Sequence, residues 1–401
     1  MIFSRQGRGG KKTFIMLLFR FFILLLFIMA EKKNQHYVPR FYLKLFSPSE
    51  HGKTIDLFQK RLKKIVRNAK LKKQASEDYF YSKDLTIEEN LSHLEGAAAE
   101  IFKQISLTNK LPEFGTMEYF LLIVTTILQS SRTKKHANEM NEMTDKLAKT
   151  QLKYTLEYDK KFVRENPLIK EIKLNEVKII DKNASLMSIS TAMDLLPSIL
   201  DLGSVILVNK TKTPFITSDN PVVKYNQFLE KKKYNFGTTG FGSLGLQFFY
   251  PITPSLMIIL YDKWIYKIDS KFITDSSIVD KFNLLQILNS NEVAYFNNNI
   301  SDDYIIKLFK KSEKFCDNSD ESFTTTTYKK IDPKIHEIPD VIGFQKKEIK
   351  VKFEVPFIVE KPHTKSLMIN FPAIRKTTVN LKWMDFKKGV MDLRKNNNKP
   401  S

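Results

Sequence analysis

The chain has 401 residues, 42% of them hydrophobic, and a formal net charge of +21. This length suits one large domain or two smaller ones with a real core. Cys316 is the only cysteine, which excludes a disulfide framework and a cysteine-based zinc site and fits a reducing cytoplasm. Thirteen of the 21 net charges lie in residues 1–28 and 361–401, so the charge indicates solvated ends more directly than a nucleic-acid surface.

Residues 1–28 are either an apolar leader or the product of a mis-assigned start. The apolar run over residues 14–29 contains Arg20 and is shorter than the ~20 apolar residues that span a bilayer comfortably. It lacks the small-x-small cleavage site that ends a signal peptide. We expect translation to begin at Met29 and the protein to be cytoplasmic. The alternative is an inner-membrane anchor through residues 14–29 with the domain facing the cytoplasm, because the basic flank favours staying inside.

The first dense polar motif is NQHYVPRF at residues 34–41. Pro39 fixes its own φ angle, holds Val38 extended and suits the first turn of a helix. His36 therefore lies in an extended approach to that helix, and Arg40 lies in its first turn. One interpretation makes His36 a buried, hydrogen-bonded histidine and Arg40 a structural ion-pair partner, and the other directs both side chains at a ligand.

The next elements are a basic hairpin and a helix. Residues 54–66 are predicted as two strands around a lysine-rich turn. Residues 86–107 have helical periodicity, and Glu95 borders the apolar face of this helix. A partly buried carboxylate there would need Arg40 or Arg132 as its partner.

A second helix is predicted over residues 117–131 and is apolar nearly all round, which indicates a central position. Gln129 and Arg132 share one helical face near its end, so both can converge on whatever that end meets. Residues from 134 to about 175 are more polar and are predicted as an exposed helical excursion.

Residues 184–202 are predicted as a helix interrupted near Pro197, and residues 205–208 as a buried strand. The motif TSDNPV at residues 217–222 indicates a strand-ending turn, because Ser, Asp and Asn side chains bond back to the local backbone. Asp219 either closes this turn or projects a carboxylate from the end of the strand.

The sequence GFGSLG at residues 240–245 matches the GxGxxG pattern of dinucleotide-binding loops. No predicted strand precedes it and no helix follows it, so we assign it to a loop. Two antiparallel strands follow, and then a helix over residues 275–288 with Asn283 and Gln286 on its polar side.

Together these motifs resemble the bacterial domain-of-unknown-function 4238 family over residues 29 to about 300. The specific matches are NQHYVPRFYLKLF at residues 34–46 and TSDNPV at residues 217–222. Weaker matches follow in the family's order: Asp78 to Tyr81, Glu95, Gln129 with Arg132, Tyr250 to Pro254, and Asn283 with Gln286. The family's name records no established biochemistry, so the resemblance implies candidate positions and no reaction.

We expect an α+β fold, in which a helix-rich domain at residues 29–300 packs on a small, mostly antiparallel sheet. Residues 301–401 are predicted as a polar, basic C-terminal extension. It is expected to be irregular over residues 301–345, to contain a strand over residues 346–358, and to be partly disordered after residue 387.

A dispersed polar set at helix and strand ends forms the candidate site. No two histidines are close enough in sequence for a local metal motif, and Walker and GxSxG motifs are absent. The catalytic candidates are His36, Arg40, Glu95, Arg132 and Asp219, and the binding candidates are Gln35, Gln129 and Asn220.

If these residues converge, they suit phosphate-ester chemistry. His36 would be the general base, Asp219 with Glu95 would hold a divalent metal ion, and the arginines would stabilise phosphate charge. The sequence therefore predicts a metal-assisted phosphodiester or nucleotide hydrolase that acts on nucleic acid, such as a defence or toxin-type effector. The alternatives are a non-catalytic binding or sensing module, whose polar residues form a structural network, and a membrane-attached interaction protein that retains residues 1–28.

Overall fold

A computed structural model describes residues 33–48, 52–83, 86–171, 173–234, 236–315, 321–328, 341–369 and 373–375. Residues 1–28 and the tail after residue 387 lie outside these ranges, so the predictions made for them stay predictions. No helix within the ranges is long and apolar enough to cross a membrane.

Helices and strands are mixed along the chain, and the fold is α+β, as the sequence predicts. The helices are α1 (Arg40–Lys44), α2 (Thr86–Thr108), α3 (Met117–Gln129), α4 (Lys134–Tyr158), α5 (Lys160–Glu165), α6 (Ala184–Leu195), α7 (Gln227–Lys231), α8 (Ser276–Asn289) and α9 (Asp302–Glu313). The strands are β1 (Asn34–His36), β2 (Thr54–Gln59), β3 (Lys64–Lys70), β4 (Ser76–Asp78), β5 (Gly203–Asn209), β6 (Thr217–Ser218), β7 (Val223–Tyr225), β8 (Gln247–Thr253), β9 (Leu256–Tyr261), β10 (Tyr266–Ile268), β11 (Phe272–Ile273), β12 (Val293–Phe296), β13 (Phe323–Tyr328), β14 (Val341–Lys346) and β15 (Ile358–Glu360).

The largest sheet has five strands in the order β11-β5-β9-β8-β7, and every pair is antiparallel except β11 with β5. Alternate residues of a strand point to opposite faces. In β5, Ile206 and Val208 join one hydrophobic core, and Val205 and Leu207 join another. The sheet is therefore buried on both faces, which accounts for the unbroken apolar run that the sequence shows there.

The first core contains the apolar faces of α1, α2 and α3, packed on that sheet. Tyr42 of α1 is fully buried, and its hydroxyl donates to the carbonyl oxygen of Pro251 in β8 at 2.6 Å. Phe102 of α2 packs edge-on against Tyr250 of the same strand. These contacts anchor α1 and α2 directly on the largest sheet.

Helix α8 lies between the two larger sheets. Phe282 and Leu285 belong to the core on the second face of the five-stranded sheet. Leu284 and Ile287 belong to the core of the four-stranded sheet, whose strand order is β3-β2-β12-β6. A helix packed on both sides buries its polar positions as well as its apolar ones.

The chain beyond residue 300 differs from the predicted extension. Residues 301–345 were expected to be irregular, but they contain α9 and the antiparallel pair of β13 and β14. Only the two ends of the strand predicted over residues 346–358 lie in strands. Between them, Phe353, Val355 and Phe357 insert into the second core, because each apolar side chain is placed by tertiary contacts rather than by a strand ladder.

Arg375 attaches the last described segment to the glycine-rich loop. Its guanidinium donates to the carbonyl oxygens of Phe241 at 2.7 Å, Ser243 at 2.6 Å and Ser198 at 2.6 Å, and it forms an ion pair with Asp201 at 3.2 Å. The GFGSLG sequence is thus a structural loop, as its context predicts, and its carbonyl groups serve the packing of the C-terminal segment.

Candidate functional site

His36 and Arg40 lie on either side of the turn that leads from β1 into α1. β1 pairs with β4, where His36 lies opposite Ser76, and Pro39 precedes the helix with a φ angle of −59°. The extended approach agrees with the prediction, whereas Pro39 lies one position before the helix, with a ψ angle of 141°, and not in its first turn. Arg40 is exposed, and its guanidinium has no ion pair within the described ranges.

Both side chains line one cleft of about 300 Å³. Its lining residues are Asn34, His36, Arg40, Lys72, Glu88, Ser92 and Glu95. The cleft therefore contains two cations, two carboxylates and one imidazole. Like Arg40, Lys72 is exposed and has no ion pair in the part of the chain that the structure describes, so both cations are available to an anionic ligand.

One face of α2 forms the carboxylate side of the cleft. Glu88, Ser92 and Glu95 are four and three residues apart, and residues at those spacings share a helical face. Only Glu95 was predicted from the sequence, although the polar stripe of this helix was a readable signal for Glu88 and Ser92. Lys72 had no such signal, because it follows β3 in a short turn and reaches the cleft only through the fold.

Arg132 lies behind the cleft, with a side chain that is 2% exposed. Its Nη1 atom is 2.8 Å from Oε1 of Glu95, its Nη2 atom donates to the carbonyl oxygen of His36 at 2.6 Å, and its Nε atom donates to the hydroxyl of Tyr81 at 2.9 Å. Burial by itself would lower the pKa of Arg132, but Tyr81 and Glu95 outweigh it and raise the pKa above its usual range. Arg132 is therefore the partner that Glu95 was expected to need, and it positions two cleft residues from behind.

Gln35 and Gln129 are buried and bonded to backbone groups. The amide nitrogen of Gln35 donates to the carbonyl oxygen of Ser82 at 2.9 Å, and its oxygen accepts from the backbone N–H of Tyr81 at 2.7 Å. The amide of Gln129 donates to the carbonyl oxygen of Tyr37 at 3.1 Å. The structure thus places both predicted binding residues in the support of β1 and not along the cleft.

Asp219 is 2% exposed and is occupied by backbone donors. Its two carboxylate oxygens accept N–H groups of Asn291 at 2.8 Å, Glu292 at 2.7 Å and Val293 at 3.0 Å. Burial raises the pKa of Asp219, and the three backbone hydrogen bonds oppose that rise. The carboxylate holds the TSDNPV turn against the start of β12 and does not line the cleft.

Asn220 belongs to a hydrogen-bonded clamp between TSDNPV and α8. Its amide oxygen accepts from the hydroxyl of Thr133 at 2.9 Å, and its amide nitrogen donates to the carbonyl oxygen of Asn289 at 3.1 Å. The side-chain nitrogen of Asn289 donates in return to the carbonyl oxygen of Asn220 at 2.6 Å. Gln286 completes this clamp, and Asn283 bonds the residues just before TSDNPV.

Asn283 and Gln286 were predicted on the polar side of this helix, and the structure buries that side. Asn283 accepts from the N–H of Ile216 at 3.0 Å, and Gln286 donates to the carbonyl oxygen of Pro221 at 2.6 Å. Both side chains are buried because α8 is packed from two sides. Their amides satisfy the backbone of a segment that carries few ladder hydrogen bonds of its own.

The predicted metal pair of Asp219 and Glu95 is not formed. The oxygens of Asp219 accept backbone N–H groups of the 291–293 segment, whereas Glu95 faces Arg132. A carboxylate in a turn readily accepts hydrogen bonds from nearby backbone N–H groups, and these bonds determine where Asp219 points. Among the residues described, no group of three or more His, Cys, Asp or Glu side chains could hold a metal ion.

The fold thus brings His36, Arg40 and Glu95 together at one cleft. The other candidates are buried away from its lining and form hydrogen bonds that support the fold. Residues 34–299 match the model of the family described as Protein of unknown function (DUF4238). No curated protein and no solved structure matches the chain.

Proposed function

The chain belongs to the DUF4238 family, and we propose that its cleft binds a phosphate-bearing substrate and hydrolyses a phosphodiester or nucleotide bond. One observation supports this proposal above the rest. His36, Arg40 and Glu95 come from separate parts of the chain and line the same cleft, together with a second cation from Lys72. An imidazole beside cations and carboxylates is a set that suits proton transfer at a phosphate ester.

The cleft residues divide into phosphate-binding and proton-transferring groups. Arg40 and Lys72 bind the anionic phosphate, because neither cation is neutralised by a carboxylate in the described ranges. His36 takes the proton from the attacking water as the new P–O bond forms, and its imidazolium gives that proton to the leaving oxygen as the old P–O bond breaks. Glu95, held by Arg132, and Glu88 set the polarity of the opposite wall. A divalent cation, where one takes part, would have to be shared between these carboxylates and the substrate.

The substrate we propose is nucleic acid or a nucleotide, and the protein would act as a defence or toxin-type effector. We also propose a cytoplasmic location, because a chain with a single cysteine has no disulfide framework for an oxidising compartment. A chain that starts at Met1 and pellets with membranes would contradict that location and favour an anchor through residues 14–29.

The test is turnover of defined substrates by purified protein. Single-stranded RNA, single-stranded DNA, duplex DNA and nucleoside triphosphates are incubated with Mg²⁺, with Mn²⁺ and with EDTA. We expect His36→Ala to lower the rate about 100-fold or more, as for loss of a general acid or base. Arg40→Ala should have an effect of similar size, as for loss of a charge-stabilising group.

Arg61→Ala is the matched control, because Arg61 is an exposed arginine in the turn between β2 and β3. Its activity should equal that of the wild type. Thermal melts of all three variants distinguish lost chemistry from lost folding. Wild-type turnover in both His36→Ala and Arg40→Ala would contradict the proposal.

A non-catalytic binding module is the second candidate, and a specific observation favours it. Gln35, Gln129, Arg132, Asp219 and Asn220 are all buried and hydrogen-bonded to backbone or neighbouring side chains. Most of the family-like polar residues therefore stabilise the fold. Binding of a nucleotide that Arg40→Ala weakens, with no turnover under any metal condition, would identify this function.

A further inference from the structure

A basic surface lies where the turn between β2 and β3 meets the last turns of α9. Phe309 of α9 packs against Phe58 of β2, with ring centroids 4.9 Å apart. The ammonium of Lys63, in the turn, lies 2.8 Å from Oε1 of Glu313 and 5.5 Å from the ring centroid of Phe309. These contacts hold the turn beside the end of α9, so the two segments form one continuous surface.

Most cations of this basic surface have no carboxylate partner. Lys63 pairs with Glu313, and Lys60 turns inward and donates to the carbonyl oxygens of Ile287 at 3.1 Å and Ser290 at 2.9 Å. The other cations are exposed and form no ion pair with a residue that the structure describes: Arg61, Lys64, Lys307, Lys310, Lys311 and Lys314. The four on α9 are three or four residues apart and share one face of the helix. Because like charges repel, such an array favours an anionic partner.

Apolar side chains are exposed among these cations. Leu62 lies in the turn, between Arg61 and Lys63, and is 66% exposed. Phe315 directly follows the end of α9 and is 43% exposed. A nucleic acid offers phosphates to the cations but no apolar layer to an exposed leucine, whereas an anionic membrane offers both. The combination therefore favours a membrane over a nucleic acid as the partner.

We propose that the basic surface docks the protein on a membrane that contains anionic lipids. The cations bind the lipid headgroups, and Leu62 and Phe315 enter the boundary between headgroups and acyl chains. The turn precedes β3, whereas Lys72 of the cleft follows it. A strand of 7 residues separates the two by roughly 20 Å. The basic surface and the cleft share no residue, so membrane docking does not depend on the hydrolase proposal.

The experiment measures how much of the full chain sediments with lipid vesicles. One set of vesicles contains phosphatidylglycerol and phosphatidylcholine in equal parts, and the other contains phosphatidylcholine alone. The wild type should bind the anionic vesicles about 100-fold more tightly or better, because each cation near an anionic surface adds to the affinity. Residues 1–28 are the same in every variant, so differences among variants report on the basic surface.

The apolar contribution is tested with Leu62→Ser. This variant should bind the anionic vesicles about tenfold more weakly, because the leucine no longer enters the membrane boundary. Leu107→Ser is the matched control, since Leu107 is also an exposed leucine, 70% exposed near the end of α2, and lies outside the basic surface. It should bind like the wild type.

The electrostatic contribution is tested with the double variant Lys64→Ala and Lys311→Ala. Its affinity for the anionic vesicles should fall roughly 30-fold, as for the loss of two cations at an anionic surface. The matched control is Lys153→Ala with Lys160→Ala, two exposed lysines of α4 and α5, and it should lose far less. All these substitutions are on the surface, so thermal midpoints should stay close to that of the wild type.

High salt should release most of the wild type, because salt screens the attraction to the headgroups. Equal binding to both kinds of vesicle overturns the proposal, and so does a Leu62→Ser variant that binds like the wild type. Vesicle binding that withstands high salt and is unchanged in every variant would assign it to residues 14–29 instead. Binding of a single-stranded oligonucleotide that the double lysine variant weakens, with no preference for anionic vesicles, would make the basic surface a nucleic-acid interface and overturn membrane docking.

Discussion

The guanidinium of Arg132 lies 2.8 Å from a carboxylate oxygen of Glu95, and the arginine is 2% exposed while the glutamate is 25% exposed. The pair therefore connects the buried interior to the cleft. Because Arg132 also holds the carbonyl oxygen of His36, one buried side chain fixes the spacing of two cleft residues.

Replacing Arg132 with methionine should lower the free energy of unfolding by about 3–5 kcal/mol, as for breaking a buried pair. The loss arises because Glu95, the hydroxyl of Tyr81 and the carbonyl oxygen of His36 lose one shared donor. Urea denaturation measures the change. Lys103→Met is the control, since its ion pair with Glu100 is fully on the surface, and no measurable change is expected there. Equal stability of the two variants would show that the interactions of Arg132 do not stabilise the fold.

The second prediction concerns Asp219, which sequence analysis placed among the catalytic residues. Asp219→Ala should lower the free energy of unfolding by roughly 3 kcal/mol, because three backbone N–H groups lose their acceptor. Asp219→Asn should lose less, since one acceptor oxygen remains. Asp303→Ala, an exposed carboxylate in the first turn of α9, should change stability little.

The same variants separate structural from catalytic roles. If Asp219 acts only on the fold, the fraction of Asp219→Asn that remains folded should turn over substrate, or bind ligand, as the wild type does. A fully folded Asp219→Asn protein without activity would return Asp219 to the catalytic set.

Local sequence signals predicted much of the fold and part of the site. Helical periodicity placed α2 and α8 to within a few residues, and the proline in NQHYVPRF correctly indicated the start of α1. Glu95 was expected to pair with Arg40 or Arg132, and Arg132 is its partner. These features depend on contacts within a helix turn or on the conformational limits of proline. Both can be read from residues that are neighbours in the sequence.

The remaining features depend on tertiary contacts that no local pattern carries. Asp219 accepts backbone N–H groups of residues 291–293. No residue type in the sequence marks a backbone N–H group as the partner of a distant carboxylate. Asn283 and Gln286 were predicted on the polar side of their helix, but their burial does not follow from that pattern, because it depends on the packing of α8 between two sheets. Lys72 reaches the cleft only because β3 and β4 are connected beside it.

The clamp between α8 and TSDNPV gives the third prediction. Asn289→Ala removes two donations from its side chain, to the carbonyl oxygens of Asn220 at 2.6 Å and Val222 at 3.1 Å. The free energy of unfolding should fall by about 2–3 kcal/mol, because both carbonyl groups are buried. Guanidinium denaturation measures the change, and Asn299→Ala, an exposed asparagine after β12, is the control. A loss no larger than that of the control would contradict a structural role for the clamp.

The fourth prediction is a pH dependence of stability that Lys224 causes. The pKa of Lys224 is about 7 in the fold against 10.5 as its ordinary value. Between these pH values the unfolded chain binds the extra proton, so the free energy of unfolding should rise with pH, by at most about 1.4 kcal/mol per pH unit. The destabilisation by Lys224 is complete below pH 7 and disappears above about pH 10.5.

Chemical denaturation in phosphate-free buffer at pH 7.5 and pH 9.5 measures this rise. Lys224→Met cannot bind the proton in either state, so its stability should rise less than that of the wild type over the same interval. Lys135, with a pKa lowered to about 8 by burial, is present in both proteins, and its charge is one of the causes that lower the pKa of Lys224. Lys210→Met is the control, because Lys210 also lies over an aromatic ring, that of Phe272, and its stability should rise with pH as that of the wild type does. Identical pH dependence in the wild type and Lys224→Met would mean that Lys224 is hydrated and keeps an ordinary pKa.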